Sequence, residues 1–379
     1  MNFNHSKNLK DYALCYSSIQ RSCPRQMYSL TIHIIIYVIL FLGNLMVIVS
    51  ICHFKQLHTP TNFLLLSLAS TDLLLGGFIM APSMIRSLES CWYFGDLFCK
   101  IHVSLDITLS TASLIHLLFI SIDRYCAVCY PLHYQTKITS CAAGIMIAIS
   151  WIFAGIYGCF MCLNIQGLDG LQNHKSQCLG GCLYISSPLS GLVSSLLCFY
   201  FPGFIMLGIY TNIFIVASRQ AKIIKQTEQR GQTAKEKKMA VSMKQEKKAA
   251  RTLGITIGCF FICWLPFFLY SFINTFVQCQ TSAFVTELLY WFGYLNSAFN
   301  PFIYAFMFNW FRKSFQIILY GKIFKPNSSR IKTTEKTSVL FISHKVCNNP
   351  IWDISLLHSR LTNPLNDGKH VFRIRKGNR

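Results

Sequence analysis

Seven apolar runs, each about the length an α-helix needs to cross the hydrocarbon of a bilayer (~20 residues), set what this chain can become. They cover Tyr28–Cys52, Asn62–Ile85, Leu97–Ile122, Ala142–Cys162, Pro188–Val216, Ala249–Asn274 and Phe284–Phe308. Lipid offers no water to a free N–H or C=O, so a crossing run must be helical. The links between runs are mostly short, which predicts one bundle. The expected fold is an all-α membrane protein: a seven-transmembrane helix bundle spanning 28–308. Hydrophobic residues make up 53% of the 379, a share that excludes a disordered chain and fits poorly with a soluble enzyme.

The ends read differently from the bundle. Residues 1–27 are polar and lack an apolar region ahead of a small-residue cleavage site, so no cleavable signal peptide is expected, and the first span serves as its own insertion signal. Trp310–Tyr320 reads as a short basic amphipathic eighth helix on the membrane surface, and 309–324 is assigned to it. From 325 to 379 the chain reads as an irregular, disordered tail.

A formal charge of +21 raises the question of nucleic acid, but its distribution answers it. Lys222, Lys225, Arg230, Lys235, Lys237, Lys238, Lys244, Lys247 and Lys248 crowd between spans five and six, and the tail is basic as well, whereas the loops holding Asp96, Asp169 and Glu287 are not. Positively charged loops stay cytoplasmic. The charge is therefore read as topology plus attraction to anionic membrane lipid, with no nucleic-acid partner expected and the amino terminus outside a plasma membrane. Asn4 then heads an accessible glycosylation sequon, Asn4-His5-Ser6. Cys15, Cys23, Cys91, Cys99, Cys178, Cys182 and Cys279 fall on that oxidising side, where pairing is expected. A bridge from the loop before span five to the top of span three would clamp a lid over the bundle, although spacing alone does not choose between Cys178 and Cys182.

Of the 14 acidic residues, only Asp72 and Asp106 sit well inside apolar runs. An ionisable group at that depth is costly unless it meets a partner or a wet cavity. Asp106, in the outer third, calls for an amine ligand. Asp72, near mid-depth, would suit a sodium ion with Ser113, Asn296 and Asn300. Asp106 and Arg124 are 18 positions apart, five whole turns on one helix face and roughly 27 Å. One rigid element thus joins an acid near one surface to the triplet Asp123-Arg124-Tyr125 at the other. Pro266 in Cys263-Trp264-Leu265-Pro266 and Pro301 in Asn300-Pro301-Phe302-Ile303-Tyr304 predict bent helices. Pro82 should end or kink the second span.

Taken in order, Asn44, Asp72, Asp123-Arg124-Tyr125, Trp151, Pro202, Cys263-Trp264-Leu265-Pro266 and Asn300-Pro301-Phe302-Ile303-Tyr304 place one landmark on each span. This ordered set, over about residues 28–320, resembles the rhodopsin-like (class A) G-protein-coupled receptors. Asp106 marks the aminergic branch. The strings HFKQLHTPTN, SCWYFGDLFCKIH, FISIDRY, WFGYLNS and WFRK resemble the trace amine-associated receptor family. The resemblance implies a Cys99–Cys182 bridge, with Cys15–Cys178 and Cys23–Cys91 as further pairs. It implies a pocket among spans two, three, five, six and seven, and coupling to a stimulatory G protein that raises cyclic AMP. The sequence departs from the family at Ala81 followed by Pro82, at Cys198, at Ser186, at Asn309 and in a fourth span without a proline soon after Trp151. These bear on ligand identity rather than on the fold.

The expected ligand is a small primary arylalkylamine such as phenylethylamine or tyramine. Its ammonium pairs with Asp106, steered by Tyr294, in a charge-assisted contact stronger than a neutral hydrogen bond. Trp264, Phe267 and Phe268 form an aromatic floor and wall, and Ser194, Ser195 and position 198 face a ring hydroxyl. Ser110 lies one turn below the acid, His102 and Arg86 stand near the rim, and Ile107, Ile185 and Tyr290 complete the lining. At the inner end Arg124 pairs with Asp123 and Glu246. Release of that pair as span six swings about Pro266 lets Tyr210 and Tyr304 turn inward. The rival readings are a receptor for another biogenic amine, a constitutively active receptor, and an amine transporter; duplicated halves with matching broken helices, the transporter signature, are not found. No zinc motif, phosphate loop or nucleophile elbow supports an enzyme. No cofactor is expected beyond the allosteric sodium ion.

Overall fold

A computed structural model describes residues 26–89, 92–163, 182, 188–228, 234–277 and 283–331. Among these there are helices and turns but no strand. The first span is Gln26–His53. The second runs from Pro60–Leu74 through a π-helical segment, Leu75–Met80, into Ala81–Glu89. The third is Gly95–Cys129, followed by a short inner helix, Pro131–Lys137. The fourth is Ser140–Leu163. The fifth joins Pro188–Ser195, a π segment Leu196–Tyr200 and Phe201–Glu228. Ala234–Val277 and Ala283–Met307 are the sixth and seventh, and Asn309–Leu319 is the surface helix.

Six of these helices are long and apolar enough to cross a membrane by themselves: Thr31–His53, Pro60–Leu88, Gly95–Cys129, Ser140–Leu163, Gly191–Arg219 and Lys247–Asn274. The seventh, 25 residues long, is too polar along its length to count on composition alone. Its polar groups face protein instead. Asn296, Ser297 and Asn300 are all buried, and the helix packs between the first and sixth spans. A bundle can therefore carry a span that hydropathy alone would rank below threshold.

Proline shapes two of the contacts. Pro301 has no N–H for the Ser297 carbonyl four residues earlier. Asn44 Nδ2, on the first span, donates to that carbonyl at 3.1 Å and to Leu40 O at 2.9 Å. Gly43 lets the two helices approach, since a Cβ there would stand 2.7 Å from Pro301 Cβ. In the second span the helix does not stop at Pro82. The π turn immediately before it takes up the displaced proline, and the helix continues to Glu89.

The third span is the axis. It packs on the second, fourth, fifth and sixth spans. Ser67 Oγ accepts from Trp151 Nε1 (3.0 Å) and donates to His116 Nε2 (2.7 Å), while His116 Nδ1 donates to Ala112 O (2.6 Å). The chain thus couples spans two, three and four through one neutral imidazole. The Cys99–Cys182 disulfide ties Cys182, which precedes the fifth span, to the top of the third span.

Candidate functional site

The half of the bundle nearer the Cys99–Cys182 disulfide holds Asp106. It is half-buried and accepts from Tyr294 Oη at 2.8 Å and Ser110 Oγ at 3.4 Å. Both donors are neutral, and among the described residues no lysine or arginine forms an ion pair with it. Tyr294 is held in place by Trp264, with ring centroids 6.2 Å apart and nearly perpendicular. Phe267 packs on Tyr290 (4.7 Å) and on Phe268 (5.3 Å), and Phe268 stacks on Phe199 (4.2 Å). Gly293 leaves room for the indole, because a Cβ there would lie 2.8 Å from the Trp264 ring. The result is one carboxylate beside a continuous aromatic wall.

The other expected lining residues are placed unevenly. Ile107 sits on the third span next to the acid and is half-buried. Ser195 donates to its own helix at Gly191 O (2.8 Å), Ser194 approaches Met161 Sδ (3.6 Å), and Cys198 is buried one turn on. His102 does not stand at a rim. It is 3% exposed, with Nε2 3.1 Å from the Ile79 carbonyl of the π segment and its ring against Trp92 at 5.2 Å. Arg86 does reach the rim, but it is engaged: Nη1 donates to Cys182 O at 3.2 Å and Nη2 lies 3.7 Å from Glu287 Oε1. Ser87 donates to the same carboxylate and accepts from Trp291 Nε1, whose ring stacks on His33 at 3.9 Å. Spans one, two and seven and the disulfide loop are thereby joined above the acid. Ile185, Ser186, Asn4, Cys15, Cys23, Cys91, Cys178 and Cys279 lie outside the described residues.

At mid-depth Asp72 accepts from Ser297 Oγ (2.7 Å) and Asn300 Nδ2 (2.8 Å). Ser297, three residues before Asn300 and on its face, joins Asn300 as a hydrogen-bond donor to the acid, and among the described residues neither Ser113 nor Asn296 is one. Among the described residues, Ser113 Oγ, Asn296 Oδ1 and Asn300 Oδ1 are buried oxygens without hydrogen-bond partners. Such orphans call for a water or an ion. Like the carboxylate, they are oxygen donors, the kind a hard cation takes.

The end of the bundle away from the disulfide is a closed knot. Arg124 Nε and Nη2 donate to Asp123 Oδ2 at 2.8 and 2.7 Å. Thr61 Oγ1 donates to the same oxygen (2.9 Å), and Tyr134 Oη donates to Oδ1 (2.9 Å) while accepting from Arg124 (3.0 Å). Asp123 is fully buried and Arg124 is 6% exposed. Burial pushes the Tyr134 phenol well above its ordinary pKa, which keeps it a neutral donor. Thr61 and Tyr134 add to the expected partners of Arg124, of which Asp123 is met and Glu246 has its side chain outside the described residues. The only advance signal for Tyr134 was its place on a short polar helix close after the triplet. Tyr125 packs edge-on against Tyr130 (5.8 Å). Tyr210 rests against Gly254 and the cluster of Val128, Ile209, Ile213 and Ala250, and Tyr304 is buried beside Phe308.

Helices in this order, with a Cys99–Cys182 disulfide at the top of the third span, a half-buried carboxylate near that end and a buried arginine at the other, define a seven-transmembrane receptor. Residues 43–304 match the family described as 7 transmembrane receptor (rhodopsin family). Trace amine-associated receptor 1 of Macaca mulatta is 46% identical over 328 residues, covering 84% of this chain and 97% of the relative. The Homo sapiens protein of that name is 45% identical over the same shares, and trace amine-associated receptor 4 of Mus musculus is 44% identical over 83% of this chain and 93% of its own length. The chain belongs to the trace amine-associated receptor family of class A G-protein-coupled receptors. It is a multi-pass membrane receptor and not an enzyme.

Proposed function

We propose that this receptor detects small primary arylalkylamines such as phenylethylamine or tyramine, and that it signals through a stimulatory G protein to raise cyclic AMP. One observation carries the ligand class: a carboxylate inside an aromatic-walled bundle, hydrogen-bonded only by neutral hydroxyls among the described residues. An ammonium completes that arrangement, and its aryl group fits against Trp264, Phe267 and Phe268. The names of the relatives support the same class. The amino terminus is outside and the basic segments inside, as the charge distribution supports. Asp72, with the orphan oxygens of Ser113, Asn296 and Asn300, holds a sodium ion.

An amine panel tests the reading. Cells expressing the chain should accumulate cyclic AMP with phenylethylamine or tyramine. Amine flux without a second messenger would support the transporter instead, and cyclic AMP already maximal without amine would support a constitutive receptor.

The inner knot makes a separate prediction. Tyr134→Phe removes one donor to Asp123 and one acceptor from Arg124. Each such bond contributes about 0.5–1.5 kcal/mol to the closed packing. Basal cyclic AMP, normalised to surface expression, should therefore rise several-fold, and unchanged basal signalling would separate the knot from switching.

A further inference from the structure

The second span ends in a turned arginine. Its π segment, Leu75–Met80, takes in one residue more than an α turn, so the helix after it is rotated by a residue's step, roughly 100°. Arg86 then meets both Cys182 and the seventh span. Its Nη1 donates to Cys182 O at 3.2 Å, and Cys182 is bonded to Cys99. Its Nη2 lies 3.7 Å from Glu287 Oε1, close enough for an ion pair and too far for a hydrogen bond. Among the described residues the guanidinium makes no further hydrogen bond. Ser87 holds the Glu287 carboxylate by a separate route: its hydroxyl donates to Oε1 and accepts from Trp291 Nε1.

Glu287 is thus a second acid at the mouth of the site. Cys99 stands seven positions before Asp106, two turns along one helix face and about 10 Å. The charge of Arg86 acts on Asp106 and on Tyr294, although among the described residues no ion pair joins Arg86 to Asp106. Asp106, Glu287 and Arg86 together carry one net negative charge. A ligand with one ammonium balances it. A ligand with a second ammonium reaching the mouth leaves a positive charge over, and sets it beside a guanidinium where water screens the repulsion only in part.

We propose that Arg86 is a specificity residue that restricts this receptor to amines of a single positive charge, by occupying Glu287 and denying it to a second ammonium. The inference rests on the reading that Asp106 takes the ligand ammonium. Without Arg86 the two acids would carry two negative charges and match a diamine, and the bond from Ser87 would still hold Glu287 at the mouth. Discrimination of this kind works by repulsion of the wrong ligand and needs no contact with the right one. The disulfide makes it durable, because the carbonyl that orients Arg86 belongs to a residue fixed to the third span.

Matched pairs of ligands test it. One member is a phenylethylamine whose nitrogen carries an ω-aminoalkyl chain, with spacers from ethylene to hexylene. The other is its isostere, ending in methyl instead of ammonium. Thermal-shift titration of the purified full-length receptor reads their binding without any G protein. The wild type should bind each isostere roughly tenfold more tightly than its diamine. Arg86→Gln should raise the best diamine roughly tenfold relative to its isostere. Arg86→Lys keeps the charge and should keep the wild-type preference. Glu287→Gln added to Arg86→Gln should remove the gain, since the freed carboxylate is what the second ammonium meets. Equal binding of diamine and isostere by the wild type, no relative gain in Arg86→Gln, or a gain that survives Glu287→Gln would overturn the proposal. The wild-type comparison decides even where Arg86→Gln yields no folded receptor. The reading beneath it fails separately, if Asp106→Asn binds both members of a pair as the wild type does.

Discussion

Asp106→Asn should abolish the amine response while leaving the receptor at the cell surface. Substitution keeps the shape of the side chain and a partner for the Tyr294 hydroxyl that now donates to it at 2.8 Å. It removes only the charge. In the free receptor that change relieves the cost of holding a carboxylate in the bundle, so folding should not suffer. In the complex it leaves an ammonium in a partly dry, aromatic site without a counter-charge. Truncating one partner of a buried charge pair typically costs about 2–5 kcal/mol, so amine potency should fall on the order of 10²–10³-fold. Dose–response curves for cyclic AMP, alongside surface staining of an outer epitope, are the measurement. A variant that reaches the surface and still responds at wild-type potency would remove Asp106 from recognition.

Gly158→Val should fail at the earlier stage of folding. The third and fourth spans touch at this glycine. A Cβ would lie 2.0 Å from Thr108 Oγ1 and 2.8 Å from the Ser104 carbonyl oxygen. The hydroxyl is not free to swing away, because Thr108 Oγ1 donates to Ser104 O at 2.8 Å. The carbonyl belongs to the axis helix of the bundle and cannot move without it. Overpacking of this kind costs about 1–3 kcal/mol, occasionally more, against a total stability of about 5–15 kcal/mol, and two methyl groups beyond the Cβ add to the overlap. Surface expression should drop severely, and the thermal midpoint of any purified receptor should fall by several degrees. Adding Thr108→Ala should recover part of the loss, since it removes the nearer contact and leaves the backbone one. Wild-type expression of Gly158→Val alone would show that spans three and four are not packed this closely.

Some parts of the site could be read from residue spacing and others could not. A period of 3.6 residues places Asp106, Ser110 and Arg124 along one strip of the third span, and the Asp106–Ser110 contact follows from it directly. The same period names candidates on the seventh span without choosing among them. Asn296 and Ser297 differ by about 100° around the helix, and which of them meets Asp72 depends on how that helix is rotated against the second. Thr61 and Tyr134 carry no mark of their own, and they join Asp123 because the second span and the short inner helix converge there. His102, expected near the rim, is buried. The π segment of span two and the ring of Trp92 cover it instead.

The amino-acid sequence by itself determined the count of crossings, the depth of the two intramembrane acids and the family landmarks, because transfer into lipid and helical periodicity act on stretches of adjacent residues. The polar span, the knot around Arg124, the partners of Asp72 and the contact of Ser87 with Glu287 came from packing. Each joins positions tens to hundreds of residues apart, and such contacts exist only once helix rotation and close approach bring the two side chains within hydrogen-bonding distance.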